Sequence, residues 1–576
     1  MFNITINIIL FFFSYNYAIS QSPVLLPDFP KLLDTISGQG YSPIVADFNN
    51  NGKNEILISY YASQGKSKIY LLNENGISIN HWPVLIYDDH TITAAGDINN
   101  DGYINVVVRS KDSIFVFDHT GNPLPGFPVY FPSVASSSLA LYDLENDGYL
   151  EIITTGFNKV SVINYNGLTR QGWPVELFGS VINRVYTSPV SVADLNEDGF
   201  SEILVPSSYC PDLNSGVNCT DNFINIFKSD GKPFFQNNIR SDSSYFYQFN
   251  PASIYSENDS VYFILNSMLL DNNDNVFTRT FKYNSKGDIV NKFFSSSFIN
   301  TSGAITIGNI NFNSQKKIFS FGYQNLSCFL LNEELLGISG WPVNSNNFYL
   351  KPSLIQYFNN ENFIITTENY ADTTGGFKKE SGYIRFFNIS GNELSFSPVR
   401  SDGIPVTSPT FCDLNRDGIL DMVCINSVIN SSINGFSKMI YAWTFPGVIY
   451  DPKNIQWSMY GHDRYRTNQY GFIPPDEPVG ILPINNIIPD KFELHQNYPN
   501  PFNPVTNIKF DIKRSSDVGL NIYDALGRKI TELINEKLQP GTYNAVFDGS
   551  DFSSGVYFYK LDTEGFVETR RMILLK

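Results

Sequence analysis

The stretch Asp194-Leu195-Asn196-Glu197-Asp198-Gly199-Phe200-Ser201-Glu202 decides the architecture that this sequence predicts. Side-chain oxygens stand at its positions one, three, five and nine, and a glycine at position six permits a turn that a Cβ would obstruct. This spacing lets a tight loop point its oxygens at one hard cation, with the backbone carbonyl of Phe200 as a further ligand. The flanks, Val190 to Val192 and Ile203 to Val205, are short β-branched runs, so the loop is predicted to join two strands.

The same nine-residue pattern recurs along the chain, and we number its copies by the repeat unit to which each belongs: loop 1 (47–55), loop 2 (97–105), loop 3 (143–151), loop 4 (194–202) and loop 8 (413–421). Loops 3, 4 and 8 are complete, loop 1 replaces two acids by amides, and loop 2 ends in an amide. The predicted Ca²⁺ ligands are Asp47, Asn49, Asn51, Glu55, Asp97, Asn99, Asp101, Asp143, Glu145, Asp147, Glu151, Asp194, Asn196, Asp198, Glu202, Asp413, Asn415, Asp417 and Asp421.

A degraded copy of the loop begins at Asn309, and its ninth residue is Lys317 instead of an acid. A metal ion there would face an ammonium group and no carboxylate. We therefore predict that this copy, loop 6, holds no metal.

Composition limits both the fold classes that suit this chain and the classes of partner that it can bind. The 576 residues are too many for one compact core unless the architecture repeats, and no long stretch has a helical period, which favours an all-β chain. The formal net charge of -17 argues against a nucleic-acid partner, because a phosphate backbone requires a basic surface.

The first twenty residues, 1–20, contain an apolar run from Ile4 to Phe13 and end in Ala18-Ile19-Ser20. This pattern predicts a secretory signal peptide, although the usual positive N-terminal region is missing. The alternative is a membrane anchor, but the apolar run is short for a bilayer span, and no other segment is a transmembrane candidate.

The five cysteines suggest at most two disulfides. Cys210 and Cys219 flank a polar loop that a disulfide would close in an oxidising compartment, and Cys412 and Cys424 bracket loop 8 and are placed to face each other across its hairpin. Cys328 is then left over and is expected to be a small buried hydrophobe.

Repeat units of about fifty residues follow one another from Tyr41 onward. Each has a short strand, the loop, a second aliphatic strand, a third alternating strand and a Gly-containing turn. The unit closes on a signature such as Gly172-Trp173-Pro174-Val175, which suits an outer strand or the crossing to the next unit because proline would interrupt a central ladder. Four short strands at this period predict a β-propeller of seven or eight blades, seven if the first and last segments share a blade.

The loops and the Gly-Trp-Pro-Val endings resemble the FG-GAP, or VCBS-like, repeats of integrin-α-type propellers over residues 21–470. The resemblance implies that the loops bind calcium on one rim and that the ions stiffen it. The segment from Trp457 to Thr467 resembles the segment that closes bacterial propellers of this kind. Its His462-Asp463 pair could serve catalysis, but a packed, hydrogen-bonded closure is the favoured interpretation.

Beyond Tyr470 the composition changes to a Pro-rich linker, 471–488, and then to alternating strands that predict a small Ig-like β-sandwich over 489–576. This last part resembles the type A C-terminal sorting domain of the type IX secretion system, which implies export across the outer membrane of a Gram-negative bacterium to the cell surface or the medium. The residues that carry the resemblance are Asn497, Tyr498, Pro499, Asn500, Pro501, Phe502, Asn503, Pro504, Gly527, Arg528, Gly555, Tyr557 and Lys576.

No catalytic set stands out, because the five histidines are scattered and neither a nucleophile elbow nor a phosphate-binding loop is present. The sequence therefore favours a non-catalytic, calcium-binding surface propeller that binds an unknown protein or glycan. Tyr60, Tyr61, Tyr245 and Tyr247 could stack on sugars, although the propeller core is their more natural place. The alternatives are a calcium-dependent polysaccharide lyase, which needs Arg, Lys or Tyr near a calcium in the central channel, and a structural surface-layer component.

Overall fold

The structure is a computed structural model of the chain. It describes residues 22–34, 42–62, 65–88, 91–132, 138–177, 185–209, 221–235, 239–241, 251–258, 260–270, 276–294, 305–310, 316–322, 327–344, 354–358, 361–372, 379–405, 407–430, 435–450, 459, 462–469, 474, 483–485, 489, 491–497, 500–502, 505–514, 516–538, 541–549, 552–563 and 565–575.

The described residues up to 450 form eight antiparallel sheets, which we call blades 1 to 8. Blade 1 comprises β3 (Ile44–Ala46), β4 (Glu55–Ala62), β5 (Lys66–Leu72) and β6 (Val84–Ile86), and blade 2 comprises β7 (Ile92–Gly96), β8 (Asn105–Arg109), β9 (Ser113–Phe117) and β10 (Val129–Tyr130). Blade 3 comprises β11 (Leu139–Tyr142), β12 (Glu151–Gly156), β13 (Lys159–Ile163) and β14 (Val175–Glu176). Blade 4 comprises β15 (Val185–Thr187), β16 (Ser191–Ala193), β17 (Glu202–Tyr209), β18 (Asp221–Phe227) and β19 (Ile239–Ser241).

Blades 5 to 8 follow the same plan, except that two N-terminal strands join blade 8. Blade 5 comprises β20 (Ser253–Glu257), β21 (Ser260–Leu270), β22 (Val276–Asn284) and β23 (Ile289–Phe294), and blade 6 comprises β24 (Thr306–Asn309), β25 (Lys317–Gly322), β26 (Ser327–Asn332) and β27 (Val343–Asn344). Blade 7 comprises β28 (Leu354–Phe358), β29 (Glu361–Asp372), β30 (Lys379–Asn388) and β31 (Val399–Asp402). Blade 8 comprises β1 (Val24–Leu25), β2 (Lys31–Asp34), β32 (Ile404–Pro405), β33 (Thr410–Cys412), β34 (Ile419–Asn430) and β35 (Gly435–Ile449).

Apolar side chains between consecutive blades hold the ring together. The inner strands alternate short aliphatic residues that are buried on both faces, as in β7 and β11, and each apolar cluster draws residues from neighbouring blades. One cluster joins blade 8 to blade 1, and β1 and β2 pair with β35. The ring is therefore closed by the N-terminal strands in the last blade. The first and last segments share a blade, but the described sheets number eight, and not the seven that the sequence analysis linked to such sharing.

The closing signature, Gly-Trp-Pro-Val or a variant of it, links blades 1, 2, 3 and 6 to the blade that follows each of them. In blade 3 the Gly172 backbone adopts φ +91°, and a Cβ there would lie 2.4 Å from the Asp230 carbonyl oxygen of blade 4. The Trp173 indole donates to the Ser229 carbonyl at 3.2 Å. Glycine is required by the close approach, the indole adds a hydrogen bond between blades, and the outermost strand begins directly after the proline, as predicted.

A β-sandwich follows the propeller. One sheet has the order β36-β41-β38-β37 and the other the order β40-β39-β42-β43. Their strands are β36 (Pro483–Asn485), β37 (Glu493–Leu494), β38 (Val505–Ile512), β39 (Ser516–Tyr523), β40 (Lys529–Leu538), β41 (Gly541–Asp548), β42 (Gly555–Thr563) and β43 (Phe566–Leu574). Strand β36 lies inside the predicted linker 471–488 and pairs with β41 as an edge strand. Alternate residues of the long strands form one apolar core between the sheets.

The predicted pairing of Cys412 with Cys424 is wrong. Both thiols are buried and free, and they lie in different apolar clusters, because Cys412 packs with Val423 on one face of blade 8 while Cys424 packs with Met422 on the other. Residues an odd number apart on a strand point to opposite faces, so the hairpin register separates the two sulfurs. Cys328 is buried and free, as expected.

Several other expectations fall on residues outside the described ranges. The predicted signal peptide, 1–20, and the Cys210–Cys219 pair are among them. Within the described part of the chain, no helix has the length and apolar character needed to cross a bilayer.

Candidate metal-binding rim

The five predicted loops occupy equivalent places in the propeller. Each connects the inner strand of its blade to the second strand, so loops 1, 2, 3, 4 and 8 project from the same edge of their sheets. A short aliphatic strand on either side, buried on both faces, holds the ends of each loop in the core. The loops therefore form a rim on one side of the ring.

A shared set of hydrogen bonds shapes each loop. In loop 4 the Asp194 carboxylate accepts from the backbone N–H groups of Asp198 and Gly199 at 3.1 and 2.7 Å. The same pair of bonds spans 2.8 to 3.1 Å in the other four loops. The fourth residue of every loop has φ between +54° and +59°, and the glycine at position six has φ between +79° and +89°. The Asp and Gly of the motif are thus needed for the turn itself.

The ninth residue is the most buried polar group of each loop. Glu202 is 2% exposed, and one of its oxygens accepts the Leu195 N–H at 2.9 Å. Loop 2 keeps the same bond with a neutral amide, because the Asn105 side-chain oxygen lies 3.0 Å from the Ile98 nitrogen. Burial, with a smaller contribution from neighbouring carboxylates, raises the pKa of the ninth acid to about 7 in Glu55, Glu151 and Glu202 and to about 8 in Asp421.

The donor set of the loops fits Ca²⁺, which takes carboxylate, amide and carbonyl oxygens. One predicted ligand atom, Asn99 Oδ1, is buried and accepts no hydrogen bond from any described residue. A buried oxygen without a partner is costly, and a cation at the loop would satisfy it. Bound calcium would supply positive charge to a cluster of buried carboxylates.

The loop carboxylates do not converge tightly in the structure. Among the described residues, the one group of three His, Cys, Asp or Glu side chains whose ligand atoms all lie within 4.8 Å is Glu493, His495 and Asp511, on the sorting sandwich. These groups already have partners, since His495 Nε2 lies 2.7 Å from Asp511 and Glu493 lies 2.9 Å from Lys491. The sequence did not predict this cluster, because only the β37–β38 register places Glu493 opposite Asp511.

Neighbouring loops are tied to each other. A side chain or backbone N–H of one loop donates to a backbone carbonyl of an adjacent loop. The contacts are Ile104 N to Phe48 O at 3.2 Å, Leu150 N to Ile98 O at 3.3 Å, Asn146 Nδ2 to Gly199 O at 3.1 Å and Asn54 Nδ2 to Asp413 O at 2.6 Å.

Residues 462–469, which we call the channel segment, run across the inner strands. Backbone carbonyls of the channel segment accept from one inner-strand N–H in each of four consecutive blades, and three of its residues adopt positive φ as it curves. The donor–acceptor pairs are Ala95 to Arg464, Leu141 to Tyr465, Val192 to Thr467 and Ile254 to Asn468, at 2.8 to 3.1 Å. Inner strands are sheet edges with unpaired N–H groups, and this segment covers those edges.

The side chains of the channel segment are engaged as well. The Arg466 Nε donates to the Thr93 carbonyl at 3.0 Å, and the Arg464 Nη1 donates to the Ala95 carbonyl at 3.2 Å. Asp463 lies 3.0 Å from His462 Nδ1 and caps the turn by accepting the Tyr465 N–H at 2.8 Å. His462 and Asp463 are both buried, so this pair belongs to a packed closure of the kind that the sequence favoured.

The tyrosines that could have stacked on sugars do not form a described surface. Tyr60 is buried in the core and stacks on Tyr70 with ring centroids 5.8 Å apart. The side chain of Tyr61 and the whole of Tyr245 and Tyr247 lie outside the described part of the chain.

The sorting-motif residues that are described have structural partners. The buried Asn497 amide donates to Thr506 Oγ1 at 2.9 Å, Asn500 accepts the Ile573 N–H at 3.0 Å, and Phe502 is buried and exchanges backbone bonds with the last strand. Arg528 lies 2.7 Å from Asp524 across the turn at Gly527, where φ is +78°. Gly555 opens β42, and Tyr557 donates to the Ser553 carbonyl. Tyr498, Pro499, Asn503, Pro504 and Lys576 fall outside the described residues.

Comparison with protein families confirms the two resemblances. Residues 496–575 match the secretion system C-terminal sorting domain, and residues 47–108 match an FG-GAP-like repeat. The chain therefore contains an FG-GAP-like repeat and a type IX secretion sorting domain, and the latter implies secretion or surface export. No curated protein matches the chain.

Solved structures with a similar arrangement are distant. The rhamnogalacturonan lyase YesW has 14% identity and a TM-score of 0.42, covering 78% of this chain and 82% of its own. The V. cholerae biofilm matrix protein Bap1 has 11% identity and a TM-score of 0.34 (76% and 94% covered), and PorZ, a type-IX secretion surface component of Porphyromonas gingivalis, has 9% identity and a TM-score of 0.15 (94% and 100% covered).

Proposed function

We propose that this chain is an exported, non-catalytic propeller whose rim is stiffened by calcium and whose rim surface binds a glycan or protein outside the cell. The sorting domain supports export to the surface. The observation that supports a non-catalytic propeller is the channel segment, because this segment lies where a lyase-like propeller enzyme would need its catalytic groups. Calcium and the partner are the parts of the proposal that experiment must test.

The cationic and aromatic side chains of the channel segment serve the fold. Arg464, Tyr465 and Arg466 are each 2% exposed, and both guanidinium groups donate to backbone carbonyls of the inner strands. A group that binds a polyuronate or abstracts its proton must reach the substrate within hydrogen-bond distance. Because these side chains are buried and the guanidinium groups are already hydrogen-bonded to the inner strands, a binding surface elsewhere on the propeller is favoured.

The rim of blades 2 to 4 offers such a surface. The seventh residue of loops 2, 3 and 4 is aromatic, and the ring of Tyr103 stacks on His119 with centroids 4.6 Å apart, while that of Tyr149 stacks on Tyr165 at 4.4 Å. Phe200 at the same position of loop 4 is 52% exposed. Flat, partly exposed rings beside rigid loops suit the apolar face of a sugar, so a glycan is the partner that we favour.

Calcium binding is tested first on the full chain. We expect several bound calcium ions per chain and a melting temperature that falls on chelation, with dissociation constants of about 10⁻⁴ M, at the tight end of the range for extracellular modules. Metal analysis after dialysis and thermal unfolding with and without chelator measure both. A protein without bound calcium, and with the same melting temperature in both conditions, would overturn the calcium part of the proposal.

Partner binding is tested with a glycan array and with matched aromatic variants. Tyr103→Ala combined with Phe200→Ala should reduce retention on the array, whereas Tyr87→Ala combined with Tyr130→Ala should not, since these two exposed tyrosines follow or belong to outer strands instead of loops. A mixed-polysaccharide depolymerisation assay runs beside the array. Reproducible, calcium-dependent product would replace the binding function by a lyase.

A further inference from the structure

Loop 3 contains a cationic side chain of the protein itself. The Arg170 Nη2 lies 2.5 Å from Glu145 Oε1, and its Nη1 lies 3.7 Å from Glu151 Oε2. Glu145 and Glu151 are the third and ninth positions of the loop, two of its four predicted ligand positions. Arg170 is 13% exposed in its side chain, and its Nη1 is buried without a hydrogen bond to any described residue. The guanidinium thus points into the loop between two carboxylates.

Among the six blades in which the structure describes the equivalent backbone bond, only blade 3 has an arginine at this place. The Arg170 N–H donates to the Val162 carbonyl, and the corresponding backbone bond in five other blades is made by an apolar residue. Those residues are Ile79, Leu124, Phe234, Ile338 and Leu394. Each of them packs on the apolar cluster of its own blade, so the arginine stands where the fold otherwise places a hydrophobe.

Blade 6 also brings a cationic side chain to its loop, but this side chain is a lysine. The ninth position of loop 6 is Lys317, which is 8% exposed, and its Nζ donates to Asn309 Oδ1, the first position, at 2.7 Å. An ammonium group therefore meets the first-position oxygen, which would be a metal ligand in a complete loop. A third cation reaches loop 1, where Arg416 Nη2 lies 3.3 Å from Asp47. Three loops thus meet a side-chain cation of the protein, but only in loops 3 and 6 does the cation come from the same blade.

We propose that Arg170 is the resident cation of loop 3, which holds this loop together without metal and competes with Ca²⁺ for Glu145 and Glu151. This inference rests on the proposed calcium function of the other loops. Loop 4 is the natural comparison, because Phe234 occupies the Arg170 position there and no ion pair among the described residues reaches Glu202. The rim is then divided between loops that take up metal and loops neutralised by the protein.

Substitution of Arg170 tests the proposal on the full chain by calcium titration and thermal unfolding. Arg170→Leu should bind calcium at loop 3 about tenfold more tightly, since an ion pair of this kind no longer competes. The same variant should melt at a lower temperature in chelator, because its carboxylates then lack a cation. Phe234→Leu, at the equivalent site of blade 4, is the matched control: it should leave calcium affinity unchanged, and any fall in its melting temperature from lost packing should be equal in calcium and in chelator.

Two charge-neutral variants separate this inference from the proposed function. At sub-millimolar calcium, Glu202→Gln should remove one bound calcium from the wild type, whereas Glu151→Gln should remove none; in the Arg170→Leu background Glu151→Gln should remove one. Loss of one calcium on Glu151→Gln in the wild type would overturn the role of Arg170. A wild type that binds no calcium would overturn the proposed function. The role of Arg170 would then be tested by the melting temperature in chelator alone, and an unchanged melting temperature of Arg170→Leu would overturn that role.

Discussion

Blades 4 and 5 connect their inner and second strands in different ways. Blade 4 uses the nine-residue loop 4, with the buried Glu202 at its end, whereas blade 5 uses a tight turn in which Glu257 pairs with Ser260. In blade 5 the Lys282 ammonium lies 4.3 Å from the centre of the Tyr262 ring and 3.8 Å from Glu257. The difference teaches that one propeller combines blades that bury carboxylates and need a cation with blades that satisfy their charges internally.

The contrast extends along the ring. Loops 1, 2, 3, 4 and 8 fill one continuous arc, because blade 8 adjoins blade 1, and blades 5 to 7 fill the other. We therefore expect the first arc to respond to metal through loops 1, 2, 4 and 8, with loop 3 neutralised by Arg170, and the other arc to be indifferent to metal. The following experiments test this division, from the largest expected effect to the smallest.

Phe263→Ala in blade 5 should have the largest effect. Phe263 is fully buried and stacks on Tyr283 with centroids 5.0 Å apart, so its truncation should cost about 3–5 kcal/mol. Urea unfolding should give the same loss in calcium and in chelator. A loss that differs strongly between the two conditions would mean that metal also supports the blade 5 arc.

Glu202→Gln in blade 4 should remove about 1–3 kcal/mol of stability in calcium, because bound ligand stabilises by its mass action on the folded state. In chelator it should cost little, since glutamine can still accept the Leu195 N–H, as Asn105 does at this position in loop 2. Glu197→Gln, on the exposed fourth position of the same loop, is the control and should be silent in both conditions. Equal losses in calcium and chelator would show that the carboxylate acts without metal.

Asn146→Gly should weaken the link between loops 3 and 4 by less than about 1 kcal/mol, because it removes one exposed hydrogen bond to the Gly199 carbonyl. Glycine keeps the φ of +57° at this position without strain, so the change isolates the side-chain bond. Calcium titration of the variant checks whether loop 4 binds more weakly when its neighbour is released. An affinity equal to that of the wild type would show that the loops bind independently.

Thiol labelling should give the smallest effect, but it reports on individual blades. Cys412 directly precedes loop 8, while Cys328 lies in blade 6, and burial raises the pKa of the Cys412 thiol above its usual range. Neither thiol should react in the calcium-loaded protein, and chelation should speed the alkylation of Cys412 more than that of Cys328. Peptide mass spectrometry distinguishes the two sites, and equal acceleration at both would contradict a division of the ring.

The repeated strands and loops could be predicted because each depends on neighbours in sequence. The nine-residue spacing, the β-branched flanks and the Pro-containing closing signature locate the inner, second and outer strands of the loop-bearing blades. In the sandwich, β40 has no clear alternating pattern, because Lys529–Leu538 mixes charged residues with apolar ones. Its outer face meets solvent, and only pairing with β39 along its length makes it a strand.

Other features depended on contacts between distant residues. The Cys412–Cys424 expectation failed on strand register, and the Glu493, His495 and Asp511 cluster arises from pairing of β37 with β38. The approach of Arg170 to Glu145 and Glu151 follows from a turn that folds back on its own blade. Sequence spacing alone ranked loop 3 with loops 4 and 8, because it counts carboxylates and cannot show which cation lies beside them.

The sequence by itself determined the all-β class, the repeating blades, the positions of the loops and the sorting domain at the C-terminal end, since these follow from side-chain period, turn chemistry and short motifs. Only the tertiary structure decided how the ring closes through β1 and β2, how the channel segment covers the inner edges, and which loops already contain a cation. These decisions depend on distance in space, and the free energy of a charge or an unpaired N–H depends on what folding places next to it.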